Sequence, residues 1–350
     1  MQGGWKYPFF PQLCTFFTIG YPTFVGVGKF FLIPSKSIYP PLQQQNVGRI
    51  NLFLMPSLEH IIQYVIYGIV VGGIYGLIAL GFTIIYNATG VINFAQGEFV
   101  MLGAMMMVSL HSVAHIPMPI AFFLSILAVT IIGAIFERLA INPVRNASVI
   151  TLIIITVGAS IFIRGLALPI WGQDPIYAPP FSKGKPLSLL GAKVPLQQLW
   201  VLGITAIIVV AVHLFYKYTI IGKAMRATAI NRVAARLMGV NVRRMVLCSF
   251  ALSAAVGAGA GMAIAPVAHA SYEMGAMLGL KGFCAAILGG LGNGIGAVVG
   301  GFIIGIVERL AIGFAPSGYS GYKDAVAFII LLIILFIKPD GIFGGKRKQD

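Results

Sequence analysis

A chain of 350 residues in which 58% are hydrophobic and only 9% are charged has too little polar surface for a water-soluble fold, where about a quarter of residues carry charge. This composition excludes an ordinary soluble enzyme or binding module and makes lipid the solvent. The formal charge of +15 does not indicate nucleic acid either, because the basic residues sit in short segments between apolar runs and not on an aromatic-interleaved face.

Residues 1–54 scatter aromatics and prolines without period, as in Tyr7-Pro8-Phe9-Phe10-Pro11 and Tyr39-Pro40-Pro41, and carry no recognisable cleavable signal peptide. The expectation is a poorly structured extension, with Met55 as the native start and 55–350 as the transmembrane domain. From His60, apolar segments follow at roughly 60–86, 96–113, 118–139, 148–170, 199–216, 244–267, 275–290, 294–313 and 324–338. Crossing a bilayer takes about 20 apolar residues in a helix, and most of these segments suffice. Segment 275–290 is short and glycine-rich, which marks a re-entrant or broken element. The expected fold is an all-α integral membrane protein, a polytopic bundle of about eight or nine spans.

The first two spans are joined by a polar interruption, Tyr86-Asn87-Ala88-Thr89-Gly90-Val91-Ile92-Asn93-Phe94-Ala95-Gln96-Gly97-Glu98. Amides and glycines at membrane depth need partners, so this is either an irregular element facing the bundle interior or an interfacial turn with Glu98 at a helix start. Arg164 lies well inside an apolar segment. A guanidinium there requires a substrate carboxylate, a structural pair such as Glu137 or Glu308, or a snorkelling path to the interface.

Lys217, Lys223, Arg226, Arg232, Arg236, Arg243 and Arg244 fill 217–244 without an acidic residue, the strongest cytoplasmic signal in the chain. Lys338, Lys346, Arg347 and Lys348 put the tail on the same side, and Arg138 and Arg145 put the 140–147 connection there too. The 171–197 loop falls outside despite Lys183, Lys185 and Lys193.

Small residues recur every four positions at Gly68, Gly72 and Gly76; at Ser253, Gly257 and Gly261; and at Gly292, Gly296 and Gly300. Each set occupies one helix stripe suited to close helix contact, within this subunit or at a subunit seam. No GxxxxGK[ST] motif occurs, so ATP hydrolysis through a phosphate-binding loop is not expected of this chain. Cys14, Cys248 and Cys284 are isolated, indicating neither a disulfide framework nor a metal site, and no cofactor is expected. A secondary transporter would call for intramembrane acidic relays, whereas Glu98, Glu137 and Glu308 lie near span ends. Nor does any clustered nucleophile, base or metal set suggest an enzyme.

On its motifs the chain resembles the permeases of branched-chain (hydrophobic) amino-acid ATP-binding cassette (ABC) transporters, particularly the LivH type. The matching stretches are Gly90 to Ala104, Asn142-Pro143-Val144-Arg145, Gly172-Gln173-Asp174-Pro175, Leu288 to Leu310, and Lys338-Pro339-Asp340-Gly341-Ile342-Phe343-Gly344. The resemblance implies import across a bacterial inner membrane by alternating access. It also implies four kinds of partner: two ABC ATPase subunits, a second related permease of LivM type, a periplasmic amino-acid-binding protein and membrane lipid. A urea or short-amide permease of the same superfamily is the nearest alternative. Importer permeases carry a coupling segment E-A-A-x3-G, matched here by Val233-Ala234-Ala235-Arg236-Leu237-Met238-Gly239 with valine in place of glutamate. Val233, Ala234, Ala235 and Gly239, with Arg226 nearby, are thus the implied ATPase contact. By position, Asn93, Gln96, Gly97 and Glu98, together with Arg164, either line the substrate path or shape a bend.

Overall fold

The computed structural model describes residues 58–144, 147–182, 184–189, 192–314, 323–338 and 340–344. The expected extension over 1–54 and the start at Met55 lie outside these residues. So do Arg145, Lys183, Lys346, Arg347 and Lys348 from the topology reading.

All nine expected segments are helical. They are α1 (Leu58–Thr89), α2 (Gln96–Ser112), α3 (Met118–Phe136, continued by a π turn over Glu137–Ile141), α4 (Val149–Trp171), α5 (Leu196–Tyr218), α8 (Val242–Ala268), α9 (Met274–Gly289), α10 (Gly294–Phe314) and α11 (Lys323–Ile337). Between α5 and α8 the basic segment folds into two short helices, α6 (Ile220–Ile230) and α7 (Arg232–Leu237). The 171–197 loop contains a small antiparallel hairpin, β1 (Leu187–Leu189) with β2 (Ala192–Val194). Among the described residues, six helices are long and apolar enough to cross a membrane: α1, α3 with its π turn, α4, α5, α8 and α10. The helices α2, α9 and α11 have 17, 16 and 15 residues.

Helix α1 is the axis of the bundle, with 94% of its most apolar window buried, against 17% for α4 and for α5 at the periphery. Glycine makes that central position possible. Gly68, Gly72 and Gly76 lie against the backbone of Ile306, Phe302 and Val298 of antiparallel α10, where an added Cβ would stand 2.6, 2.7 and 3.1 Å from the nearest atom. Gly257 and Gly261 of α8 pack in the same way on α2, against Gln96, Phe99 and Val100. Gly296 and Gly300 pack on Gly289 and Ala285 of α9. These stripes therefore close contacts within the subunit. Gly292 departs from the expected stripe: it lies before α10 with φ of +100°, a turn conformation open to glycine.

Helix α2 begins inside the bundle. Gln96, the first residue of α2, packs against Gly81 of α1, eight residues before α1 ends at Thr89. At 1.5 Å per residue the 90–95 segment thus climbs back about 12 Å along α1. The first turn of α9 meets it there, with Gly275 and Gly279 against Gly97. The polar interruption is therefore an internal irregular element, and the short 275–290 segment is a helix that packs on it through Gly275 and Gly279.

Candidate functional site

The chain leaves α1 through Gly90, whose φ of +72° turns it back into the bundle. Asn93, Gln96 and Glu98 of the returning segment are each held by at least one hydrogen bond, while Asn93 Nδ2 and Glu98 Oε2 have none among the described residues. Asn93 Oδ1 accepts from the Ala95 N–H at 3.1 Å, and the Phe94 N–H donates to Thr156 Oγ1 of α4 at 3.2 Å. Gln96 donates through Nε2 to Ser253 O at 3.2 Å, while Ser253 Oγ lies 2.7 Å from Gln96 Oε1 and 2.8 Å from Gly81 O. Glu98 Oε1 accepts from Ser160 Oγ at 2.7 Å and from Arg164 Nη2 at 2.8 Å. Asn93, Gln96 and Glu98 are at most 1% exposed. In hydrocarbon such groups persist only when partnered, so the seam fixes the start of α2 to α1, α4 and α8 at once.

Glu98 Oε2 has no hydrogen-bond partner among the described residues and faces the first turn of α9, 2.7 Å from where a Cβ on Gly275 would stand. A carboxylate is favoured there by the positive end of the helix dipole. Just beyond, in the turn before α9, Tyr272 OH donates to Glu273 Oε1 at 2.7 Å. That hydrogen bond, more than burial or the Glu273 charge, holds the phenol above its ordinary range, with Arg164 opposing.

Arg164 pairs with Glu98, neither with Glu137 nor with Glu308 as its sequence context suggests. Glu308 is engaged elsewhere: Lys281 Nζ of α9 donates to its Oε1 at 2.8 Å, and Tyr75 OH of α1 donates to its Oε2 at 3.0 Å. Lys281 and Glu308 side chains are 7% and 4% exposed. The sequence reading passed over Lys281, although a lone lysine inside an apolar segment signals an internal ion pair.

The basic 217–244 segment forms a capped pair of helices. Thr219 Oγ1 accepts from the Gly222 N–H at 2.9 Å to start α6, and Asn231 Oδ1 accepts from the Val233 and Ala234 N–H groups, each at 2.9 Å, to start α7. Gly239 closes α7 with φ of +83°. Ala235 points inward at 4% exposure, while Val233, Leu237 and Met238 are 70%, 83% and 85% exposed. Arg232 Nη2 donates to Ala88 O in the last turn of α1 at 2.8 Å. The expected contact residues Val233, Ala234, Ala235 and Gly239 thus belong to one short element. Arg226 sits apart on α6, in the wall of a cavity of about 1180 Å3 that none of Asn93, Gln96, Gly97, Glu98 and Arg164 lines.

The terminal motif has a local role. Ile342 and Phe343 N–H groups donate to Leu288 O and Gly289 O at 2.8 and 3.3 Å, laying residues 340–344 across the α9–α10 corner. Gly290 and Gly341, with φ of +93° and +78°, permit that close backbone approach.

A multi-pass helical bundle, with a helix starting in its interior and a capped, exposed helix pair between two spans, has the architecture of a membrane transport permease. The family described as branched-chain amino acid transport system, permease component, matches residues 64–335, and the chain belongs to it. It is 31% identical over 304 residues to the high-affinity branched-chain amino acid transport system permease protein LivH of Salmonella typhimurium, covering 83% of this chain and 97% of that protein. The same figures hold for LivH of Escherichia coli. BraD of Pseudomonas aeruginosa, a high-affinity branched-chain amino acid transport system permease protein, is 30% identical over 308 residues, covering 84% and 99%. The chain is accordingly the permease subunit of an ABC importer, and the ion-coupled secondary transporter reading falls away.

Proposed function

We propose that this subunit carries branched-chain amino acids across the bacterial inner membrane, side by side with a second related permease. A periplasmic binding protein supplies the amino acid, and two ATPase subunits drive alternating access from the cytoplasm. The substrate reading is supported by the relatives, whose names specify branched-chain amino acids. The orientation, with α6 and α7 in the cytoplasm, is supported by the basic residues of 217–244.

The observation that carries the coupling role is α7 itself. It is only six residues long, yet it is capped at both ends and turns Val233, Leu237 and Met238 outward. A small apolar surface that also carries the exposed Arg236 suits a groove on a soluble partner better than it suits water. Movement of α7 passes through Arg232 to Ala88 and Gly90, since Arg232 Nη2 also lies 3.7 Å from the position a Gly90 Cβ would take. From there it reaches the 90–95 segment and the start of α2. In this reading Asn93, Gln96, Gly97 and Glu98 shape the bend, and Arg164 anchors it, rather than meeting substrate.

The test is purification from native membranes in mild detergent, followed by ATP-driven uptake of labelled leucine in proteoliposomes. Recovery with a second permease and Walker-motif ATPases, and leucine uptake that Leu237→Asp abolishes, is the expected result. A lone homo-oligomer would overturn the importer assembly, and uptake of urea in place of leucine would transfer the reading to the short-amide branch.

A further inference from the structure

The 1180 Å3 cavity is not part of the polar seam. It lies over the last turns of α1, between α5, α6 and α8 on one side and the α9–α10 corner with the terminal motif on the other. Its volume exceeds the roughly 300 to 1,000 Å3 of a pocket for a drug-sized ligand, and a single amino acid would leave most of it unfilled. The lining is graded along the helices. Towards the ends of α1 and α5 and the start of α10 lie Asn87, His213, Arg226, Asn293 and Asp340; deeper along the same helices lie Leu80, Val209 and Val298.

The mouth opens sideways. Val210 and Ile295 line the cavity and are nevertheless 54% and 69% exposed. Val210 shares a stripe of α5 with Ile207 and Leu214, also exposed at 70% and 45%. Such an apolar stripe on a membrane helix faces acyl chains. The polar end offers both signs of charge. Among the described residues the ion pairs are Arg164–Glu98 and Lys281–Glu308, and neither Arg226 nor Asp340 is engaged in them. Between the two ends, Thr83 lines the cavity and is 1% exposed, its buried hydroxyl without a hydrogen-bond partner among the described residues.

We propose that this cavity holds one phospholipid with an ethanolamine headgroup, drawn from the leaflet on the α6–α7 side. The phosphate sits at Arg226 and the ammonium at Asp340, and an acyl chain leaves between Val210 and Ile295. A basic pocket between membrane helices at the cytoplasmic face is the setting in which lipid headgroups are recognised. Asp340 is what selects an amine-bearing headgroup over a purely anionic one. The site is independent of which amino acid is transported.

The assembled transporter is purified in mild detergent, and its bound lipid is identified by native mass spectrometry. A delipidated sample is then exchanged into vesicles of equal phosphatidylethanolamine and phosphatidylglycerol. One retained phosphatidylethanolamine per chain is expected in the wild type, and none in a Val210→Trp/Ile295→Trp variant, whose changes fill the mouth from exposed positions. Removing one cation, Arg226→Gln, weakens retention about fivefold, and Asp340→Asn shifts preference towards phosphatidylglycerol. Undiminished retention in the double tryptophan variant overturns the proposal. So does displacement of the lipid by millimolar leucine, which makes the cavity a stretch of the transport path. ATP-driven leucine uptake by the same preparations separates the two readings: lipid retained without uptake leaves this site standing and sinks the transport proposal.

Discussion

Arg164 of α4 donates to Glu98 of α2 at 2.8 Å, with the Glu98 side chain 1% exposed and the Arg164 side chain 31%. This pair ties the interior start of α2 to a helix that is otherwise peripheral. Arg164→Met leaves Glu98 buried beside Ser160 without its cation, a state that costs several kcal/mol when a pair is fully buried. Because Arg164 keeps partial exposure, about 2 kcal/mol is the expected loss. Thermal unfolding of the detergent-solubilised protein should show it, and Glu98→Gln added to Arg164→Met should recover much of it. Strictly additive effects of the two changes would deny the coupling.

Lys281 and Glu308 are more deeply enclosed, and Tyr75 OH closes the triad from α1. Lys281→Met strands a carboxylate between three helices, and the expected cost is about 3 to 5 kcal/mol, enough to deplete the protein from the membrane. The double change Lys281→Met/Glu308→Leu removes both charges and should accumulate to near wild-type levels. Membrane abundance by immunoblot decides the matter: a double variant as scarce as the single would show that the triad is needed for more than charge balance.

Much of this architecture was legible in the sequence because hydrocarbon permits few alternatives. Nine apolar runs became nine helices within a few residues, and the glycine stripes at Gly68, Gly72 and Gly76 marked the α1–α10 contact before any partner was known. Partners were the illegible part. Nothing in the local sequence of Arg164 distinguishes Glu98 from Glu137 or Glu308; the choice depends on the 90–95 segment folding back by about 12 Å to lift Glu98 to the level of α4. Gly292 was misassigned for a related reason, since a four-residue period continues through a turn as readily as through a helix. Lys281 was visible but unread.

Glycines of similar sequence context should behave oppositely. A Cβ at Gly72 would meet Phe302 Cα at 2.7 Å, backbone that cannot swing aside, whereas a Cβ at Gly165 of α4 would meet no atom of another element within 4 Å among the described residues. Gly72→Ala should therefore separate α1 from α10 and lower the melting temperature, while Gly165→Ala should be neutral or stabilising by about 0.5 to 1 kcal/mol. Equal effects at both positions would contradict the packing.

Severing transmission should leave docking intact. Arg232 stands on the six-residue α7 but donates 2.8 Å away to Ala88 O of α1, so it joins the exposed helix to the span that leads into the seam. The apolar residues Val233, Leu237 and Met238 point away from that link. Changing Leu237 to Asp should abolish co-purification of the ATPases. Arg232→Gln should retain them and preserve ATP hydrolysis, yet reduce leucine uptake per ATP by tenfold or more, about 1.4 kcal/mol of lost coupling. Asn231→Ala is the control for mere loosening of α7: the lost cap costs about 1 kcal/mol and should weaken ATPase binding and uptake together. Co-purification and uptake measured on the same three variants tell the roles apart. Parallel loss of both activities in Arg232→Gln would reduce Arg232 to a docking contact and remove the route from α7 to the start of α2.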